Sequence, residues 1–435
     1  MLDPDISTAQ ARALLAVPDL DDGPAGPLGW SRRQFLQAIG MGAFSGMAIG
    51  TLGEQFFGDL PDAWAAPPIG ANDGILVLIV LYGGNDGLNT VIPYSDPAYQ
   101  ASRSNIAIPV ESSLPLDGTL ALHPELGYVK SLYDAGDVAI VQGVGYPNPD
   151  LSHFSSMAIW MNGQFGSSAP TTGWLGRWLD GLPPAASLAG ASIDTSVPLH
   201  MLGAARRAVA VTPGDLFGTA GTAEDARMFA GIRAMAAASG GRGQWHDAFA
   251  ATMARQLDVA TEVAPAFTGT FPPRGLERDL TVAARLINAN IGLRVLDIGR
   301  GGFDHHDNEP SKHQDLLRDL NIGIQNFYAT LAPEFADRVT ILTVSEFGRT
   351  PASNASLGTD HGTAAPLFVI GQQVKGGLYG AQPSLTALDQ NKRMFSTVDF
   401  RAVYGTIIDG WLGGGGSTVV NGPFENLGFF EAGPG

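Results

Sequence analysis

The chain contains no cysteine among its 435 residues. That absence removes disulfides, thiolate metal ligands and thiol nucleophiles together. Any bound metal must then be held by oxygen and imidazole. Positive charge is also scarce, with 25 Lys and Arg against 42 Asp and Glu and a net charge of −17. Such a balance argues against nucleic acid and anionic membranes as partners. Past the first 65 residues no stretch is apolar enough to cross a bilayer, and no internal repeat is visible.

The N-terminal region reads as a targeting segment rather than as fold. Residues 1–30 are acidic and contain Pro and Gly without a sustained period. Ser31-Arg32-Arg33-Gln34-Phe35-Leu36 then fits the twin-arginine export pattern. An uncharged Gly- and Ala-rich run follows to Gly53, and Ala63-Trp64-Ala65 offers an A-x-A cleavage site. The twin-arginine translocase is therefore the expected partner during export, with a periplasmic or extracellular destination. Cleavage after residue 65 would leave 22 basic and 34 acidic residues, a net charge of −12. Residues 66–435 suffice for one large α/β domain.

Four apolar runs organise that domain: Ile75–Tyr82, Val138–Val144, Ile291–Ile298 and Val339–Val344. Continuous apolar strands suit a mostly parallel sheet buried on both faces. Helical patterns between them, such as Trp174–Leu182, Leu276–Asn290, Leu316–Leu331 and Phe400–Leu412, predict helices flanking that sheet on both faces. An Ala-rich stretch gives a helical insertion around 215–290.

Each apolar run leads to a residue that binds metal or attacks. In open α/β sheets, ligand sites form beyond the carboxyl ends of the strands. Asp86 sits in Gly83-Gly84-Asn85-Asp86-Gly87, which is equally good turn chemistry. Ser152, before a helical pattern, suits an N-cap or a nucleophile, and His153 adjoins it. Asp304, His305 and His306 form the densest ligand cluster, with Asp304 and His306 in Asp-x-His spacing and His313 following. Glu346 ends the fourth run. Arg349 has the planar fork that suits an anionic substrate, or a salt bridge to Glu346. Asp360-His361 places a carboxylate beside an imidazole, as two ligands or as ligand and orienting partner.

Taken in order, the motifs GGNDGLNTVIPY at 83–94, SHF at 152–154, GWLGRWLD at 173–180, FDHH at 303–306, SEFGRT at 345–350 and GTDHG at 358–362 resemble the bacterial group called domain of unknown function 1501. That group in turn looks like a distant branch of the alkaline-phosphatase-like superfamily. The resemblance implies an alkaline-phosphatase-like α/β fold and a divalent metal, zinc or manganese, with calcium and magnesium as hard-cation alternatives. It also implies an exported phosphate mono- or diester hydrolase acting on an anionic or ester substrate. Ser152 would be the nucleophile, with His153 and Arg349 beside it. Asp86 would hold one ion, and Asp304 and His306 another. Two alignments of the remaining ligands are open. Asp360-His361 is the superfamily's Asp-His-Gly element, with the last histidine missing. Otherwise Glu346 takes the strand-end carboxylate role and His361 is the late histidine, which is the alignment that strand position favours. Either way one ligand is absent. The rival expectation is therefore a non-catalytic exported binding or assembly protein with a degenerate metal site. The sulfatase pattern C/S-x-P-x-R does not occur at Ser152–Ser156.

Overall fold

Seven consecutive apolar residues, Ile75–Leu81 (β1), are all buried and hydrogen-bond to strands on both sides. Alternate side chains of a strand point to opposite faces. Ile75, Val77, Ile79 and Leu81 accordingly enter one hydrophobic core, while Leu76, Leu78 and Val80 enter a second. This central strand is therefore covered on both faces. The computed structural model describes residues 68–70, 73–165, 171–183, 188–206, 208–211, 223–237, 264–267, 270–272 and 275–430. The twin-arginine segment and its A-x-A site lie outside the described residues. So does part of the expected 215–290 insertion, of which Ala223–Ala237 is helical.

The other strands of the main sheet are Val138–Gly145 (β2), Gly190–Ser192 (β3), Val209–Ala210 (β4), Val295–Arg300 (β5), Val339–Val344 (β6), Ala365–Ile370 (β7), Gly377–Tyr379 (β8) and Val398–Asp399 (β9). Their order is β8-β2-β7-β6-β1-β5-β3-β4, with β9 also paired to β2. The sheet is mixed and mostly parallel. β7 alone runs against its neighbours β2 and β6. Because β7 opposes both, β2 runs the same way as β6, β1 and β5, and all four carboxyl ends emerge at one edge.

Helices cover both faces. Leu276–Asn288 (α1) and Glu309–Thr330 (α2) pack on the face that includes Ile79, through Leu280, Leu286, Leu317, Leu320 and Phe327. His153–Asn162, Trp174–Asp180 and Phe400–Gly410 pack on the other face, through Trp160, Trp174, Phe400, Tyr404 and Ile407. Fully burying side chains of this size stabilises by roughly 1.5–3 kcal/mol each. No described helix is long and apolar enough to cross a membrane.

Candidate metal centre

The common edge of β1, β2, β5 and β6 assembles the site. β5 leads to Asp304-His305-His306, β6 runs directly into Ser345-Glu346, and β2 leads through a loop to the helix that begins at His153. A two-stranded antiparallel hairpin, Arg349–Ser353 with Thr359–His361, folds back over the same edge. Two glycines permit the close approaches. Gly83 has φ +120°, and a Cβ there would collide with the backbone of Phe303 and Asp304. At Gly358 a Cβ would strike the backbone of His306.

Three imidazoles converge on one carboxylate. Asp304 Oδ2 lies 3.3 Å from His153 Nε2, and Oδ1 lies 3.0 Å from His306 Nε2 and 3.3 Å from His361 Nε2. The two Nε2 atoms of His306 and His361 are 3.1 Å apart. Ligand atoms of His153, Asp304 and His361 all lie within 4.8 Å of one another. Phe347, 1% exposed, places its ring against His153 and His361 at centroid distances of 5.0 and 4.6 Å. Phe347 therefore covers one side of the His153 and His361 rings, while His306 is exposed.

The outer nitrogens settle which protonation suits the site. Nδ1 of His361 lies 2.8 Å from the carbonyl of Leu151, and Nδ1 of His153 lies 2.8 Å from Glu346 Oε1. Both partners accept, so each Nδ1 carries the hydrogen and each Nε2 presents its lone pair inward. A carboxylate or carbonyl behind the ring is the usual support for a metal-binding histidine. Nε2 of His153 is buried and makes no hydrogen bond. Burial would raise the Asp304 carboxyl, but the Arg349 guanidinium overrides it and holds the group near 2. Burial, the largest influence on His361, keeps that imidazole below its ordinary value and so neutral. Neutral imidazoles and an ionised carboxylate are the states a divalent ion requires. Ligand atoms of His153, Asp304 and His361 lie close enough together to fit one such ion, and His306 stands beside Asp304 and His361.

Other expected residues take different positions. Glu346 is 2% exposed, and its Oε1 also accepts from Gly83 N at 2.8 Å. It stands behind His153 instead of beside the ligands. Arg349 is also buried. Its Nε donates to Gly84 O at 2.8 Å and Nη1 to Thr359 O at 3.0 Å. Nη2 donates to Gly83 O, to Phe303 O at 3.2 Å and to Asp304 Oδ1 at 2.6 Å. All three nitrogens are committed within the protein, which corrects its expected role on an anionic substrate. The Glu346–Arg349 salt bridge is replaced by an Arg349–Asp304 pair.

Asp86 does not join the imidazoles. Its side chain accepts from Leu88 N at 3.3 Å and is gripped by both terminal nitrogens of Arg103. Burial would raise its pKa, but the guanidinium drives it far below the carboxylate range. In place of the ion expected at Asp86, facing Ser152, the structure has a buried Asp86–Arg103 ion pair. Ser152 occupies the N-cap position of the His153–Asn162 helix, is exposed, and its hydroxyl makes no cap bond. Asp360 is well exposed, with Oδ1 3.4 Å from His306 Nδ1. His305 and His313 turn inward, 4% and 1% exposed, and burial holds both neutral with pKa values near 4 and 3.

Sequence reasoning missed Arg103 and Glu309, which interact with Asp86, and Thr359, whose hydroxyl bonds to Glu309. Only the buried position of Glu309 at the start of α2 would have singled it out, and a Glu there reads as ordinary first-turn chemistry.

The chain belongs to the family described as "Protein of unknown function (DUF1501)", whose model matches residues 117–404. No curated protein matches it. Among solved structures, it is similar to Ps i-CgsB in complex with k-i-k-neocarrahexaose, at 12% identity over 82% of this chain and 74% of that one, with a TM-score of 0.37. It is also similar to the lipoteichoic acid synthase LtaP from Listeria monocytogenes, at 10% identity over 73% and 70%, with a TM-score of 0.33. At such scores neither likeness bears on the residues or activity of this chain.

Proposed function

We propose that this protein is an exported, metal-dependent hydrolase of phosphate esters, of alkaline-phosphatase-like fold, with Ser152 as its nucleophile. The observation that carries the metal is the convergence of three Nε2 atoms on Asp304, two of them with Nδ1 already held from behind. An imidazole-rich set favours zinc or manganese over calcium or magnesium, which prefer oxygen. A divalent ion at this position supplies Lewis acidity to the reacting phosphoryl group.

The chain's own residues then supply position and nucleophile. Glu346 and the Leu151 carbonyl orient His153 and His361, and Phe347 keeps water from their inner faces. Ser152, exposed beside His153, has a hydroxyl free of the helix it precedes. In the reaction Ser152 Oγ bonds to phosphorus as the ester P–O bond breaks. The departing alcohol takes up the serine proton, and water then releases phosphate and restores the hydroxyl. Ser152→Ala should abolish turnover of an aryl phosphate mono- and diester panel, at least a hundredfold below wild type, with the metal content unchanged. Full activity in that variant would remove Ser152 from the reaction.

One observation favours a second reading. With Arg349 committed to Gly83, Gly84, Phe303, Thr359 and Asp304, it offers a substrate phosphate no donor. A metal-holding assembly protein without turnover needs no such donor. It predicts a metal-loaded protein inert toward the whole ester panel.

A further inference from the structure

Two buried carboxyl groups, those of Asp86 and Glu309, interact inside the protein. Glu309, fully buried at the first turn of α2, lies close enough to Asp86 for the two carboxyl groups to interact. Its Oε2 accepts from Thr359 Oγ1 at 2.7 Å, while Oε1 finds no hydrogen-bond donor. Arg103 cannot supply one. Its Nη1 and Nη2 hold Asp86, and its Nε and Nη2 reach the carbonyls of Pro351 and Thr350 at 2.9 and 2.8 Å. One guanidinium therefore balances one carboxylate. A second ionised carboxylate, buried against the first, would be left without compensation.

Glu309 also sits where two ligand-bearing segments are laced together. Its backbone N donates to Leu357 O at 2.8 Å, Asn308 N to Ser356 O at 3.0 Å, and Thr359 N to His305 O at 3.0 Å. Asn354 Nδ2 donates to His306 O at 2.9 Å. The segment 304–309 carries Asp304 and His306, and the segment 354–361 carries His361. The Glu309–Thr359 bond adds a buried side-chain link between them.

We propose that Glu309 is a positioning residue held as a neutral carboxylic acid, donating through Oε1 to Asp86 and accepting at Oε2 from Thr359, so that it fixes the loops bearing His306 and His361. This rests on the metal reading above and extends it to the groups that set the ligand geometry. The titratable groups around the pair are Arg103 and Tyr99, and His123, His305 and His313, the last one turn along the same helix. Burial, and then the Asp86 charge, push Glu309 up to about 9. The unfolded chain ionises Glu309 above about 4.5 while the folded one keeps its proton, so stability from this group declines as pH rises from there through about 9.

Glutamine at 309 can both donate and accept, and it cannot ionise; alanine can do neither. At neutral pH, infrared spectroscopy of the full-length wild type should show the carbonyl band of an un-ionised buried carboxylic acid, which Glu309→Gln lacks. Titrated with zinc or cobalt ions, Glu309→Gln should bind within about threefold of wild type, and Glu309→Ala about 10–100-fold more weakly. Glu309→Gln should also flatten the decline in unfolding stability between pH 4.5 and 9. A missing band in a wild type that binds metal normally would overturn this inference alone. Equal weakening in both variants would do the same, even if the alanine variant folds poorly. A wild type that shows the band but binds no metal would overturn the metal reading, and the positioning role with it.

Discussion

Glu346 shows how residue type can be legible while role is not. Its place at the end of a strand marked it as a metal ligand. In the fold, Oε1 lies 2.8 Å from both His153 Nδ1 and Gly83 N, so it orients a ligand from behind. The sequence contains no signal for that difference, because it depends on which of two adjacent residues, Ser152 or His153, turns toward the sheet edge. If His153 holds a metal as proposed, Glu346→Gln retains an acceptor but loses the charge that would make the His153 ring a better ligand. It should weaken metal binding by about 10–100-fold in a direct titration. Unchanged affinity would place Glu346 outside the centre. Arg349 teaches the same point from the other side. A guanidinium near a candidate phosphate site suggests substrate binding, yet carbonyls of Gly83, Gly84, Phe303 and Thr359 consume its donors.

At the scale of elements, the strands were readable because they are buried on both faces and so remain apolar throughout. β1 and β6 span Ile75–Leu81 and Val339–Val344, within one residue of the runs that announce them. The helix expected over Leu316–Leu331 begins earlier, at Glu309, because its first two turns are polar and carry no apolar period, with only Glu309 and His313 buried there. The hairpin Arg349–Ser353 with Thr359–His361 was not legible at all. It has little apolar alternation, and what pins it is Arg103, Arg349 and Glu309, each distant in sequence or buried. The short apolar run Leu367–Ile370 reads as a strand, but the antiparallel direction of β7 was hidden, since strand direction leaves no trace in an apolar run. The turn after β1 yields a test. Gly83→Ala forces a side chain into the left-handed region and against the backbone of Asp304. It should cost about 1–3 kcal/mol in urea unfolding, and also weaken metal binding. A neutral effect would mean that the turn can move without disturbing Asp304.

Across the molecule, the buried histidines impose a pH dependence. His123, His305 and His313 are held neutral chiefly by burial, with pKa values near 4, 4 and 3. Below 6.5 the unfolded chain takes up protons that these folded rings refuse, so stability falls as pH drops through that window. At pH 5 each ring should cost on the order of 2 kcal/mol relative to neutral pH, and His313→Gln should lessen the slope of chemical unfolding stability between pH 6.5 and 4. A slope unaltered by that variant would show that other groups dominate acid unfolding.

The central proposal is that the edge formed by β1, β2, β5 and β6 would hold a metal through His153, Asp304 and His361, with His306 beside them. Elemental analysis of the protein purified without chelator, beside a His153→Ala, His361→Ala double variant, tests it most directly. The account predicts about one zinc or manganese ion per chain in the wild type, at least tenfold depleted in the variant, with addition of the ion raising the unfolding midpoint of the wild type alone. A metal-free wild type whose stability ignores added ions, or a variant that retains the full complement, would contradict it.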